Sequence, residues 1–213
     1  MRHARVAGFA AVALLIAPCQ AFAQSGLYVS ATGGALFPED WSSNNGTRTS
    51  FKTGYSVLGA LGLSLGLIGL RVEVEGGYRQ SDVDKVTVAG VGAPGSGGLK
   101  VESAMVNGYF EIPYSISAFR PYVGAGIGAA RVFGSNVTVA GVRAISGHDT
   151  VMAYQAMAGL AYSMNAHLTW NLGYRFFATD TATLTGEVTG ISVPIKQSAL
   201  YTHSVELGLR LTF

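Results

Sequence analysis

Charge is scarce in this 213-residue chain: Asp, Glu, Lys and Arg together make up 12% of it, about half the share usual in a soluble domain. A soluble surface drawn from such a chain would be thinly covered with charge, and one solution is to leave much of the exterior in lipid. Cysteine is limited to Cys19, which excludes a disulfide framework. In Ile16-Ala17-Pro18-Cys19 a proline stands where a lipidation signal needs a small residue, which argues against a lipid-modified cysteine. Clusters of His, Cys and carboxylates at metal-ligand spacing are missing too, so neither a metal nor a cofactor is expected. A spanning helix is also hard to find. Beyond the first segment the best candidate is Thr53 to Leu70, but it contains Gly54, Gly59, Gly62, Gly66 and Gly69, each costly inside a helix. Its Val57, Leu61, Leu63 and Leu65 share one parity, the spacing of a strand. A chain that spans lipid without helices must close into a barrel, because no backbone group can stay unpaired there.

The first segment has the form of an export signal. Arg2 and Arg5 precede an uncharged apolar stretch from Val6 to Ala17, and Ala21-Phe22-Ala23 gives the small-x-small pattern of a cleavage site. About a dozen apolar residues is short of the ~20 a spanning helix needs. The expected organisation is a cleaved signal over 1–23 and an outer-membrane β-barrel domain over 24–213. Cleavage would also remove the only thiol and change the charge balance. The chain has 14 Lys and Arg and 12 Asp and Glu; losing Arg2 and Arg5 leaves 12 of each sign. The mature chain is formally neutral, and no nucleic-acid partner is expected.

What the chain does contain is alternation. At the C-terminus Tyr201, His203, Val205, Leu207, Leu209, Leu211 and Phe213 alternate with Thr202, Ser204, Glu206, Gly208, Arg210 and Thr212. A period of two is a strand with its faces in different surroundings, and two charges on the polar face mean that face is not a dry core. Leu70, Val72, Val74, Gly76 and Tyr78 alternate with Arg71, Glu73, Glu75, Gly77 and Arg79 in the same way. So do Leu168 to Phe176 around Thr169, Asn171, Gly173 and Arg175. Weaker examples cover about 27–37, 55–65, 101–114, 121–133 and 152–164. The sum is eight segments, each long enough for the ~9–11 residues of a tilted spanning strand.

The links between them alternate as well. Those near 38–54, 80–100, 134–150 and 178–199 are long and polar; those near Gly66–Gly69, Ser115–Phe119 and Asn165–Ala166 are short. This predicts an all-β fold, an eight-stranded antiparallel up-and-down transmembrane β-barrel, with extracellular loops, periplasmic turns and periplasmic termini. Aromatics gather at both ends of the segments: Phe37, Tyr55, Tyr78, Tyr154, Phe176 and Tyr201 near the loops, Phe110, Tyr162, Trp170 and Phe213 near the turns. Amphipathic rings prefer those two depths.

The stretch Pro121-Tyr122-Val123-Gly124-Ala125-Gly126-Ile127-Gly128 resembles a strand of the small porin-like surface antigens of Gram-negative bacteria. Residues 153–159, Leu172 to Phe176 and the ending His203 to Phe213 do the same. The chain is similar to the opacity-type and OmpA-transmembrane-type barrel family, most closely over its last ~95 residues. The resemblance implies an outer-membrane location, surroundings of outer-membrane lipid and lipopolysaccharide, and a terminal Phe213 read by the outer-membrane assembly machinery. With no globular domain after Phe213, the peptidoglycan-binding module of longer relatives is expected to be absent. The motifs speak for the fold and poorly for function.

An eight-stranded barrel is about as wide inside as its own side chains. By parity Arg71, Glu73, Glu75, Arg79, Glu111, Arg175, Glu206 and Arg210 point into it, four basic and four acidic. Buried charges persist when paired, so a salt-bridge-filled lumen is expected, with Arg71 near Glu111 and Arg175 near Glu206. The alternative is a narrow porin for small solutes or ions. A lipid A-modifying enzyme would need Ser, His and an acid together. His203 and Ser204 are neighbours in a strand and face opposite ways, His148 lies beside Asp149 in a long link, and His167 begins a strand. No catalytic residue is assigned. Gly124 to Ala129 fits a relaxed dinucleotide fingerprint but has no following helix and places its glycines on the lumen parity. Gly92 to Lys100 lacks the order of a phosphate loop and reads as a loop tip. The loops, with turn-forming Asn44-Asn45-Gly46, Ala93-Pro94-Gly95 and Thr179-Asp180-Thr181, remain as the surface for an extracellular ligand such as a host factor, another cell or a phage.

Overall fold

The computed structural model describes residues 26–213 except 43–46, 67–68, 89–90, 95, 113–117, 140–141 and 189–190. The expected signal over 1–23 and its cleavage point, Asn44 to Gly46, Gly95 and most of the Ser115–Phe119 turn lie outside the described residues.

Among the described residues there are thirteen strands. Eight of them are the barrel staves: β1 (Leu27–Pro38), β4 (Gly54–Ser64), β5 (Leu70–Val88), β7 (Ser96–Glu111), β8 (Phe119–Val139), β9 (Val142–Ser163), β10 (Leu168–Thr179) and β13 (Tyr201–Thr212). Each pairs antiparallel with its chain neighbour among the eight, so the order is that of an up-and-down meander. The circle closes where β1 meets β13, with Tyr28 opposite Thr212 and Pro38 opposite Thr202. No helix among the described residues is long and apolar enough to cross a membrane. The backbone groups that lipid cannot satisfy are satisfied by the closed ladder instead.

Alternation and burial coincide. Along β5, Arg71 is 6% exposed, Val72 44%, Glu73 6%, Val74 64% and Glu75 3%. The side that an ordinary domain would bury faces outward, and the charges face in. On β13 the outward row from Tyr201 to Leu211 covers ten residue steps. At ~3.3 Å per step and a tilt near 40° it stands about 25 Å tall, the height of an outer-membrane apolar band. Outward aromatics mark its edges, Phe37, Tyr55, Tyr154 and Tyr201 above and Phe110, Phe119, Tyr162 and Trp170 below.

The upper links differ from the expected polar loops. Most of their length is strand. β5 runs on to Val88, β8 to Val139, and β9 starts already at Val142. β6 (Val91–Pro94) pairs with β5, so Ala93 and Pro94 belong to a strand and Gly92 to Lys100 is not a loop tip. β2 (Trp41–Ser42) and β3 (Thr47–Phe51) pair with each other, and β3 pairs with β5. β11 (Ala182–Val188) and β12 (Ile191–Gln197) form a hairpin beside β9. The physical reason is content: Val83, Val86, Thr87 and Val88 are β-formers, and Val83 and Val86 are buried with Phe51 packed on them. Their spacing breaks strict alternation because the register between β3 and β5 shifts between Ser50 and Phe51, the effect of a bulge.

Gly66 and Gly69 have φ near +70°, a conformation that glycine adopts without cost. At the β9–β10 turn, Asn165 Oδ1 accepts hydrogen bonds from the backbone N–H groups of His167 (2.9 Å) and Leu168 (2.8 Å).

Candidate functional site: the lumen

The eight charged residues singled out by parity are all buried inside the barrel, and they meet in layers. The lowest layer centres on Glu111 of β7. Arg210 donates to its Oε1 at 2.7 Å, Arg71 Nε lies 2.8 Å from the same oxygen, and Arg120, partly exposed near the lower rim, stands 3.4 Å from Oε2. Arg71 also donates to Glu73 at 2.9 Å and to the Tyr28 hydroxyl at 3.0 Å. Tyr28 in turn donates to Glu73 at 2.7 Å. The Arg71 guanidinium rests over the Tyr109 ring, 4.5 Å from its centre.

In the middle layer Arg175 reaches across the barrel. Its Nε donates to Glu206 and its Nη1 to Glu75, both at 2.9 Å. Gln155 donates to Glu75 (3.1 Å) and to Asn107 Oδ1 (2.6 Å), and Ser204 donates to Glu206 at 2.7 Å. Between these two layers lies a cavity of about 40 Å³ bordered by charged side chains and by Thr32, Tyr122 and Asn171, with room for about three waters.

Arg79 forms the top of the polar region. It donates to Ser103 Oγ at 2.8 Å, and Phe177 covers it, with the ring centre 4.0 Å from the guanidinium carbon. Above it the lumen turns apolar. Trp41, Leu99, Val101, Met105, Ala130, Val132, Ala153, Phe177 and Leu200 form one buried cluster. Trp41 is pinned there by donating from Nε1 to the Ser198 carbonyl at 2.6 Å. An aqueous path down the axis would meet this apolar layer first and the ion pairs beneath it.

Glycine makes room for the filling. The stretch resembling a nucleotide fingerprint is a strand whose glycines face inward. A β-carbon on Gly124 would run into Tyr109, on Gly126 into Asn107 and on Gly128 into Met105. The repeat is the imprint of large lumen residues on the strand opposite them.

Parity alone did not reveal several members of this interior. Tyr28, Tyr109, Asn107, Gln155 and Met157 are buried inside, and they carried little signal because they are uncharged and their segments alternate only faintly. A second group was missed on the outer face. His203 Nδ1 is 2.5 Å from the Tyr174 hydroxyl, and its Nε2 is 2.9 Å from Glu39 Oε1. The His203 ring also lies 5.4 Å from that of Phe176. His203 is therefore held at both nitrogens rather than being a free polar tip. Ser204 faces the lumen and is buried. His148 and Asp149 serve separate contacts: His148 lies against Phe133, and Asp149 accepts from the Thr183 N–H at 2.7 Å. No group of three metal-ligating side chains occurs among the described residues.

A closed antiparallel barrel of eight staves, apolar outside and ion-paired inside, defines a transmembrane protein of the Gram-negative outer membrane. The chain belongs to the outer membrane protein beta-barrel domain family, whose model matches residues 7–213. Among solved structures it is similar to Neisserial surface protein A (20% identity, 89% of this chain and 98% of that one, TM-score 0.59). OprG of Pseudomonas aeruginosa is similar at 15% identity, 87% and 96% coverage and TM-score 0.60. So is the outer membrane protease OmpT of Escherichia coli, at 9% identity, 90% and 97% coverage and TM-score 0.52. At these identities the likeness is one of fold. No curated protein matches the chain.

Proposed function

We propose that this protein is a non-enzymatic outer-membrane barrel with a structural or surface-antigen role, and that its extracellular β end is the part that meets other molecules. The observation that carries the reading is the double filling of the lumen. A layer of ion pairs around Glu111, Glu75 and Glu206 lies beneath an apolar layer around Trp41, Phe177 and Leu200. A hydrated ion would have to break the first and enter the second, and both steps are costly. The partners on this reading are the lipid and lipopolysaccharide against the apolar band, the assembly machinery that reads Phe213, and a ligand held by the upper strands. Planar-bilayer recording of the pure protein tests it: long quiet records are expected, and large stable single-channel steps would favour the narrow porin instead.

The enzyme reading draws on one observation, the line Glu39–His203–Tyr174 at the upper lipid boundary. It orders an acid, an imidazole and a hydroxyl, but the hydroxyl is a phenol, and the neighbouring Ser204 points to the other face. An aromatic and hydrogen-bonded anchor at the interface accounts for it more simply. Lipid A mass spectra from cells with and without the gene separate the two, and an unchanged pattern is expected.

A further inference from the structure

We propose that the outer face of β7 and β8 seats one glycerophospholipid with a phosphoethanolamine headgroup, held by Lys100, Glu102 and Arg131 at the upper lipid boundary. The inference concerns the lipid side of the wall and stands whether or not the lumen conducts. Its first support is a pair of opposite charges that leave each other free. Glu102 and Arg131 are exposed and stand directly opposite one another across the ladder, where β-carbons lie about 5 Å apart and opposite charges readily pair. They do not pair: among the described residues no carboxylate lies within 4.0 Å of Arg131 or of Lys100. Arg131 rests instead over the Phe133 ring, with its guanidinium carbon 4.9 Å from the ring centre, a cation–π contact that leaves its N–H edges open. Lys100 stands opposite Phe133, one row higher. Asp82, a row above that, adds a second carboxylate on the water side.

The second support is what lies beneath that pair. In the next row down, Ala31, Gly59, Gly76, Ala104 and Ala129 face outward side by side on β1, β4, β5, β7 and β8. A β-carbon on Gly59 or Gly76 would meet nothing within 4 Å. Below them Leu61, Val74, Val106 and Ile127 form a wall, each more than half exposed, and Val57 and Tyr78 stand above. The five small residues leave a shallow apolar groove about 19 Å long, at ~4.8 Å per strand. It climbs from β1 to β8, since the wall row runs from Val29 near the lower end of β1 to Tyr154 of the upper aromatic ring. Its upper end lies directly under Glu102 and Arg131.

Charge and continuity select the occupant. A phosphate accepts from the Arg131 guanidinium and the Lys100 ammonium, and a primary ammonium donates to the Glu102 carboxylate. A phosphoethanolamine headgroup carries both charges close enough together to meet neighbouring residues of one ladder. A purely anionic headgroup would leave Glu102 facing a like charge, and the quaternary ammonium of choline has no N–H to donate. The groove begins where the headgroup ends and runs down into the apolar band, so one acyl chain follows it. A soluble phosphoethanolamine would gain nothing from that groove, which is why the occupant is a lipid.

The test uses the full barrel folded in detergent doped with phosphatidylethanolamine, phosphatidylglycerol, phosphatidylcholine or lipid A, the first three with identical acyl chains. Native mass spectrometry reads which lipid stays bound once the detergent is stripped. The native protein should retain one phosphatidylethanolamine, at least about fivefold over each of the others. Arg131→Met should lower that retention about tenfold. Glu102→Gln should erase the preference for phosphatidylethanolamine over phosphatidylcholine. Gly76→Leu, which fills the groove from a position with open space around it, should lower retention of all three diacyl lipids severalfold. All three positions face outward, and an unchanged compact band on an unboiled gel shows that each variant is folded. Equal retention of the four lipids by the native protein would overturn the proposal, as would a preference for phosphatidylglycerol or lipid A. Unchanged retention in Arg131→Met or Gly76→Leu, or an intact preference in Glu102→Gln, would overturn it too.

Discussion

Replacing Arg175 by methionine keeps most of the side chain's length and removes its charge. Arg175 makes two charge-assisted hydrogen bonds, to Glu75 and Glu206, both at 2.9 Å. Each such bond is worth about 1.5–3 kcal/mol, and removing one partner of a buried pair costs about 3–5 kcal/mol. Both carboxylates retain a neutral donor, Gln155 for Glu75 and Ser204 for Glu206, which holds the loss to about 4 kcal/mol rather than the sum of the upper values. Arg175→Met should therefore lower unfolding free energy by about 4 kcal/mol. Most of that cost is two stranded charges, so adding Glu75→Gln and Glu206→Gln should restore stability to within about 1 kcal/mol of the native chain. Urea unfolding of the barrel in phospholipid vesicles, followed by the fluorescence of Trp41 and Trp170, measures all three proteins. Equal stability of Arg175→Met and the native protein would refute the reasoning. A triple variant less stable than the single one would refute it as well.

Gly126→Ala should cost about 1–3 kcal/mol by overpacking, because its β-carbon meets Asn107 and disturbs the Asn107–Gln155 bond; the same urea titration reads it. Phe177→Ala removes a buried ring from the apolar layer and uncovers Arg79. A loss of about 3–5 kcal/mol is expected, and brief current steps should appear in bilayer records where the native protein gives none. Phe213→Ala should leave detergent refolding unchanged while lowering the heat-modifiable fraction in cell envelopes severalfold, as a fault in assembly rather than in stability would.

The barrel was legible because lipid and lumen differ so strongly as surroundings that the faces of each stave diverge in composition. β5 and β13 display this in full, with Glu73, Glu75, Glu206 and Arg210 against Val, Leu and Tyr. Parity shows which residues share a face, but it does not pair them across the barrel. That Arg175 joins Glu75 as well as Glu206 depends on stagger and strand order, which no local pattern contains. The group of Glu39, Tyr174 and His203 was hidden for the same reason, since it draws on three stretches far apart in sequence. The upper strands were obscured by polarity. A β-ladder standing in water need not be apolar on either face, so links such as 134–150 look like loops while pairing as strands from Val132 opposite Asp149 to Val139 opposite Val142.

The β8–β9 hairpin has a consequence for how this surface can vary. A flexible loop tolerates residues added or lost almost anywhere. A paired ladder does not, because inserting a single residue turns every later side chain onto the opposite face. Above Phe133 and His148 the register already shifts between Gly134 and Val137 and between Val137 and Thr138, so an added residue is absorbed on this arm as a bulge, and elsewhere along the ladder change must come by substitution. An antibody or a phage that recognises this arm reads a shape fixed in advance. Substitutions there alter the side chains on the ladder without remodelling the backbone that carries them.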